Sequence, residues 1–141
     1  MKLTRHTDYA LRMLLYLAAH PDRLCSIAEI ARAYDISQNH LMKVANELGR
    51  IGHIETVRGR NGGLRLARPA NEIILGTVVR DMEEGFDLVD CGGCVIVPVC
   101  GLPGVLRQAT RAFVETLDRY SLADIGGPKG GMAALFGVPP Y

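Results

Sequence analysis

Three of the chain's four cysteines, Cys91, Cys94 and Cys100, fall within the ten residues CGGCVIVPVC, among glycines, valines, an isoleucine and a proline. Thiolates are nucleophiles, redox partners and soft metal ligands, so this spacing admits several chemistries. A CGGC pair suits a disulfide oxidoreductase, but that chemistry wants the pair at a helix start in a thioredoxin-like unit, and no such unit is visible. Structural zinc wants four N or S donors, and here only three cysteines lie together with no histidine shortly downstream. A thiol switch that closes a disulfide and an inert buried loop remain as alternatives. An iron–sulfur cluster accounts best for the pattern. Thiolates are its usual ligands, and a two-residue gap followed by a longer one lets a loop wrap a compact cluster. Val95, Ile96 and Val97 are then expected to exclude water, and Gly92 and Gly93 to let backbone amides approach the sulfides. Three thiolates leave one iron site open, so a fourth ligand from elsewhere would make the cluster a sensor of whatever moves that ligand. Cys25, far off in sequence, reads as a small core residue.

The elements that must position this loop follow from periodicity. Leu11, Leu14, Leu15 and Ala18 recur at helical spacing over residues 4–20, and Pro21-Asp22 ends the run. Ser26 with Glu29 forms a capping box for a second helix, whose inner face is Ile27, Ile30 and Ala31. The segment YDIS breaks the pattern, and Ser37 caps a third helix running to about Arg50 with Leu41, Val44, Ala45 and Leu48 as its apolar stripe. HIETVRG and GLRLARP alternate around Asn-Gly-Gly, a hairpin signal. A short helix is expected over 75–84, and a long amphipathic one over 102–120. The glycine-rich end, GGPKGGMAALFGVPPY, reads as mobile, with AALF able to dock.

At 141 residues and 48% hydrophobic composition the chain has material for one core. Its N-terminal apolar run is too short and too charged to span a membrane, and no signal-peptide cleavage site follows it, so a cytoplasmic location is expected. The net charge of +1 hides an asymmetry: residues 1–70 hold eleven Lys/Arg against six Asp/Glu, and residues 71–141 hold five against nine. A basic half beside an acidic half points to a polyanion as partner of the former.

Helix, helix, tight turn, helix and two-stranded hairpin is the order of a winged helix-turn-helix, and the expected fold class is mainly α with that module at its front. Asp35 takes the turn position usually given to glycine, which Asp tolerates better than most residues. Ser37, Gln38, Asn39, His40 and Lys43, at the start of the third helix, can reach base edges and phosphates in a major groove of double-stranded DNA. Arg58, Arg60 and Asn61 form a thin basic tip suited to a minor groove or its flanking phosphates.

The segments MKLTRHTDYALRMLLYLA, ISQNHLMKVANELGRIGHIETVRGRNGGLRLARP, PVCGL and ETLDRYSLADI together resemble the NsrR type within a winged-helix family of bacterial regulators that also contains IscR and RirA. The resemblance covers residues 1–125. It implies a DNA-binding domain over 1–70 and a cluster-binding loop and long C-terminal dimerisation helix over 71–125; the glycine-rich tail over 126–141, read as flexible from its composition, lies outside it. It further implies a transcriptional repressor rather than an enzyme, a homodimer on a pseudo-palindromic operator, and nitric oxide as the signal that breaks the cluster. Cys91, Cys94 and Cys100 match the family's ligands, and Asp8 matches the carboxylate that a second subunit supplies. A carboxylate is a harder donor than thiolate, so the Asp8 corner is the one expected to give way. Relatives usually space the first two cysteines more widely. A four-iron (4Fe–4S) cluster is favoured, with a two-iron (2Fe–2S) cluster as alternative. Sensing of iron or cluster supply, as in RirA and IscR, is the second reading. Leu102-Pro103 stands where IscR has a ligating histidine.

Overall fold

Helix boundaries anticipated from local caps are realised in a computed structural model of the chain, which describes residues 1–136. Helix α1 spans Arg5–Ala19, with Thr4 accepting the Thr7 N–H at its start. Helix α2 spans Ile27–Tyr34 and begins in a full capping box: the Glu29 N–H donates to Ser26 Oγ at 3.1 Å, and the Ser26 N–H donates to Glu29 Oε1 at 2.6 Å. Such reciprocal bonding satisfies two amides that the helix leaves unpaired. Asp35 follows at φ 54°, the left-handed conformation the turn demands. Helix α3, Gln38–Ile51, then starts from Ser37, whose hydroxyl accepts the His40 N–H.

Strands β1 (Ile54–Val57) and β2 (Gly63–Leu66) pair antiparallel with Ile54 opposite Leu66 and Val57 opposite Gly63. Cys25 adds a third edge: its N–H donates to the Leu64 carbonyl at 2.9 Å, and the Leu64 N–H donates back at 2.7 Å. Cys25 is fully buried, as expected of a core residue, and burial pushes its thiol pKa up. The wing is thus tied to the segment that leads into α2.

Helix α1 runs through the middle of the core. Met13, Leu14 and Leu17 on it are buried against Ile30 of α2 and Leu41, Val44 and Leu48 of α3. The core does not stop at residue 70. Ile73, together with Leu75, Val78 and Met82 from helix α4 (Leu75–Met82), belongs to the same cluster, as does Leu122 of helix α6 (Leu122–Ile125). Glu83, just past α4, reaches the start of α1: its carboxylate accepts the Thr4 N–H at 3.1 Å and the hydroxyls of Thr4 and Thr7. A carboxylate at a helix N-terminus is favourably placed against the macrodipole.

Helix α5 spans Leu102–Leu117, three residues shorter than the amphipathic pattern suggests. The shortening has a cause: Tyr120 and Ser121 leave the helix to pair with the strand-like approach to α4, where the Leu75 N–H donates to the Tyr120 carbonyl at 2.9 Å and the Leu122 N–H to that of Ile73 at 3.0 Å. Arg80 and Asp118 form a two-pronged ion pair, each contact 2.6 Å. Gly76 makes that approach possible, since a Cβ there would fall 1.8 Å from Asp118 Oδ1.

Within the glycine-rich end, the AALF segment expected to dock does so. Gly131–Phe136 forms a short helix, α7, and Phe136 packs against Tyr16 and Tyr34 with ring centroids 4.8 and 5.3 Å apart. Two aromatic rings at a helix junction offer an apolar seat that offsets the glycine-rich approach. The last five positions of the expected tail, 137–141, lie outside the described residues. Among the described residues no helix is long and apolar enough to cross a membrane.

Candidate nucleic-acid interface and cysteine loop

Helix α3 buries Leu41, Val44, Ala45 and Leu48, which turns Gln38, Asn39 and Lys43 outward and leaves all three exposed. Met42, 49% exposed, and Asn46 extend the same outer surface by one turn. Sequence reasoning passed over both, although i to i+4 spacing from Gln38 to Met42 and on to Asn46 could have found them. Ser37 spends its oxygen on the helix cap. His40 is half-buried, because its ring stands edge-on to Tyr9 of α1 with centroids 4.6 Å apart. Arg58, Arg60 and Asn61 are exposed on the turn between β1 and β2. Among the described residues Lys43, Arg58 and Arg60 make no ion pair, whereas Arg50 is taken by Glu47 and Arg65 by Glu55. Three unspent cations beside an outward-facing amide pair can meet phosphates and base edges together.

The wing's root is fixed by a buried histidine. His53 Nδ1 accepts from Arg68 Nη2 at 3.1 Å, since a guanidinium can only donate, and Nε2 therefore donates to Asp81 Oδ2 at 2.8 Å. This bond ties β1 to α4, from which the cysteine segment departs.

That segment, between Glu83 and α5, is a run of tight turns. Asp90 Oδ1 accepts the Gly92 N–H at 2.9 Å, and the Cys94 N–H donates to the Cys91 carbonyl at 3.2 Å. Gly93, at φ 74°, supplies the left-handed residue that a type II turn needs in third place. Further turns close from Val97 to Cys94 and from Val99 to Ile96. Cys91 and Cys100 are half-buried and line one open recess of about 640 Å³ with Asp87, Asp90, Leu106 and Arg107, while Cys94 is exposed. All three thiols are free. The expected exclusion of water by Val95, Ile96 and Val97 is not met within one chain: Val95 is 90% exposed, and Ile96 and Val97 about half. Apolar side chains on turns this tight have no element among the described residues to fold against.

Three reduced thiols on one short loop are soft donors of the kind an iron–sulfur cluster takes, and the loop ends at the positive N-terminal end of α5, which favours an anionic occupant. The donor chemistry therefore fits, although no group of three or more His, Cys, Asp or Glu side chains converges among the described residues. Asp8 stands apart from the cysteines on α1, where Arg12 Nε donates to its Oδ1 at 2.8 Å and Arg12 Nη2 to Oδ2 at 3.2 Å. The bond to Asp8 raises the Arg12 pKa further. Arg12 also lies 6.0 Å from the Tyr9 and Tyr34 ring centroids, and the Tyr34 hydroxyl donates to the Arg12 carbonyl at 2.8 Å.

A winged helix-turn-helix with an outward polar helix face and a basic wing defines a transcriptional regulator of the DNA-binding kind. The chain belongs to the Rrf2 family, whose model, described as an iron-dependent transcriptional regulator, matches residues 3–128. Within that family it is of the NsrR type. It is 46% identical over 146 residues to the HTH-type transcriptional regulator NsrR of Halalkalibacterium halodurans, covering 99% of this chain and all of the relative. It is 50% identical over 131 residues to that of Bacillus subtilis, covering 89% and 90% of the two chains. Among solved structures it is similar to T. potens IscR, with TM-score 0.73, 26% identity, and coverage of 89% and 85%. The cysteine regulator CymR of B. subtilis shares the fold at TM-score 0.69 and 21% identity, with coverage of 89% and 96%. The relatives are regulators, so the disulfide-oxidoreductase alternative for CGGC falls away.

Proposed function

We propose that the protein is a homodimeric repressor that senses nitric oxide through an iron–sulfur cluster held by Cys91, Cys94 and Cys100 of one chain and Asp8 of a second copy. The observation that carries this reading is the pairing of a free three-thiol loop with a helix left bare. Of the sixteen residues of α5 only Val114 is buried, while Leu102 and Val105 are 53% and 61% exposed. An amphipathic helix with its apolar face in water calls for a partner. A second copy packed along α5 would cover Leu102 and Val105 and extend over Val95 and Val99.

When bound, the cluster supplies iron sites at which nitric oxide binds and displaces protein ligands. The chain's own residues do the rest. Cys91, Cys94 and Cys100 would hold the cluster as thiolates on the loop that leads into α5. Asp8, the harder donor, would tie α1 of one copy to the loop of the other. Arg12, which already bonds Asp8, would take the carboxylate on its release, and the two α3 helices would then lose the spacing that matches successive major grooves. Ser37, Gln38, Asn39 and Lys43 face the groove, and Arg58, Arg60 and Asn61 flank it; residues 1–70 thus read the operator and 71–125 carry sensor and dimer contact. The favoured cluster is the four-iron form, with the two-iron form as alternative.

A second reading, sensing of iron supply, draws support from the family's description as iron-dependent. One experiment separates the cases. The protein is purified without oxygen, its absorption, iron, sulfide and native mass are measured, and operator binding is followed during nitric oxide titration and, separately, chelation. A coloured dimer that leaves DNA with nitric oxide supports the proposal. Release only under chelation favours iron sensing. A protein still colourless after reconstitution overturns both.

A further inference from the structure

We propose that Tyr9 and His40 are positioning residues for operator recognition: their ring contact sets the pose of the first turn of α3, and His40 itself does not read bases. This rests on α3 being the recognition helix. Three observations carry it. His40 is half-buried between exposed Asn39 and buried Leu41, with its ring edge-on to Tyr9 at 4.6 Å. Its backbone N–H is spent on Ser37 Oγ, so the first turn is held by the cap at one point and by α1 at the other. The deep anchors Leu41, Val44 and Leu48 lie from the second turn onward and fix the helix axis. They leave the angle of Gln38 and Asn39 to the Tyr9 contact. A base-reading side chain must stay within about half an ångström of its productive position, so a loosened first turn costs specificity before it costs folding.

Full-length protein, matched for iron and sulfide content and for thermal midpoint, is tested on operator and on random-sequence DNA at several salt concentrations. An edge-to-face aromatic contact translates into roughly a three- to tenfold change in operator affinity. His40→Ala and Tyr9→Ala are expected to lose that much, with random-sequence binding and the salt slope unchanged, because no phosphate contact is removed. The double variant should lose no more than either alone, as two halves of one contact do. Tyr9→Phe and His40→Phe should restore operator affinity, since both keep a ring in place. If His40→Phe is as weak as His40→Ala while Tyr9→Ala is silent, His40 touches DNA directly and the proposal falls; it falls equally if every variant binds as the parent does. Should Tyr9→Ala fail to fold, the two His40 variants alone decide. Lys43→Ala serves as a separate control: unchanged binding to both DNAs would mean that the interface on α3, rather than the positioning contact, was misassigned.

Discussion

Arg12 holds Asp8 from one turn further along α1, with a guanidinium nitrogen on each carboxylate oxygen at 2.8 and 3.2 Å. Both side chains are more than two-fifths exposed, and a solvated i, i+4 pair of this kind contributes only about 0.3–0.5 kcal/mol. The pair is therefore a resting place that a metal ion can outbid. Asp8→Ala should retain cluster on the three thiolates yet respond poorly to nitric oxide in an operator-release assay. An undiminished response would remove Asp8 from the mechanism.

Lys43 is exposed on α3 and outside every ion pair among the described residues. If it meets a phosphate, Lys43→Ala should weaken binding to all DNA and lower the salt slope by about one, with the cluster spectrum unchanged. Filter binding across a salt series measures both quantities. A parental slope would move the phosphate contact elsewhere.

The bare face of α5 gives a mass measurement. Val105→Glu sets a charge on an exposed apolar position, so the isolated fold should keep its helical content. A buried unpaired carboxylate in an interface is strongly unfavourable, and the variant should run as a monomer by light scattering. A dimer of unaltered affinity would place the partner on another surface.

Glu29 offers a test by pH. Burial raises its pKa, but Arg23 at 2.8 and 2.9 Å, the Ser26 N–H and the Tyr16 hydroxyl outweigh it, and the net direction is down. A lowered folded-state pKa means that the unfolded chain binds the proton more tightly. The stabilisation is thus complete above the unfolded value of about 4.3 and is lost as pH falls through the folded one. Glu29→Gln should flatten the acid limb of a thermal-midpoint profile. An acid limb as steep as the parent's would assign it to other carboxylates.

Gly76→Ala tests a close approach. The added methyl would meet Asp118 Oδ1 at 1.8 Å and the Asp118 N at 3.0 Å, so the Asp118 side chain must leave Arg80 or the end of α5 must shift. Overpacking of this kind costs about 1–3 kcal/mol. Chemical denaturation should show a lower midpoint, and no change would mean that Asp118 swings away freely.

What the sequence made legible was local. The Ser26–Glu29 box, the left-handed Asp35 and the Ser37 cap each depend on residues within four positions, and all appear in the structure. The edge-on meeting of Tyr9 with His40 joins positions thirty-one apart and depends on how α1 crosses α3, which no periodicity encodes. The run VIVPV was legible only in part, for a different reason. Apolar character says that a side chain leaves water but not which surface receives it, and none among the described residues receives Val95. AALF could be read as able to dock, but nothing local names Tyr16 and Tyr34 as the rings that Phe136 finds.

That seat for Phe136 turns the far end of the chain into an optical gauge. The sequence has no tryptophan, so Phe136→Trp would place a lone indole 4.8 and 5.3 Å from two phenol rings that can feed it excitation energy. Tyr34 closes α2, one residue before the turn into α3. Emission from a single engineered position would then follow, in real time and without a label, whether the front of the molecule stays assembled as its sulfur loop is loaded, stripped or exposed to gas.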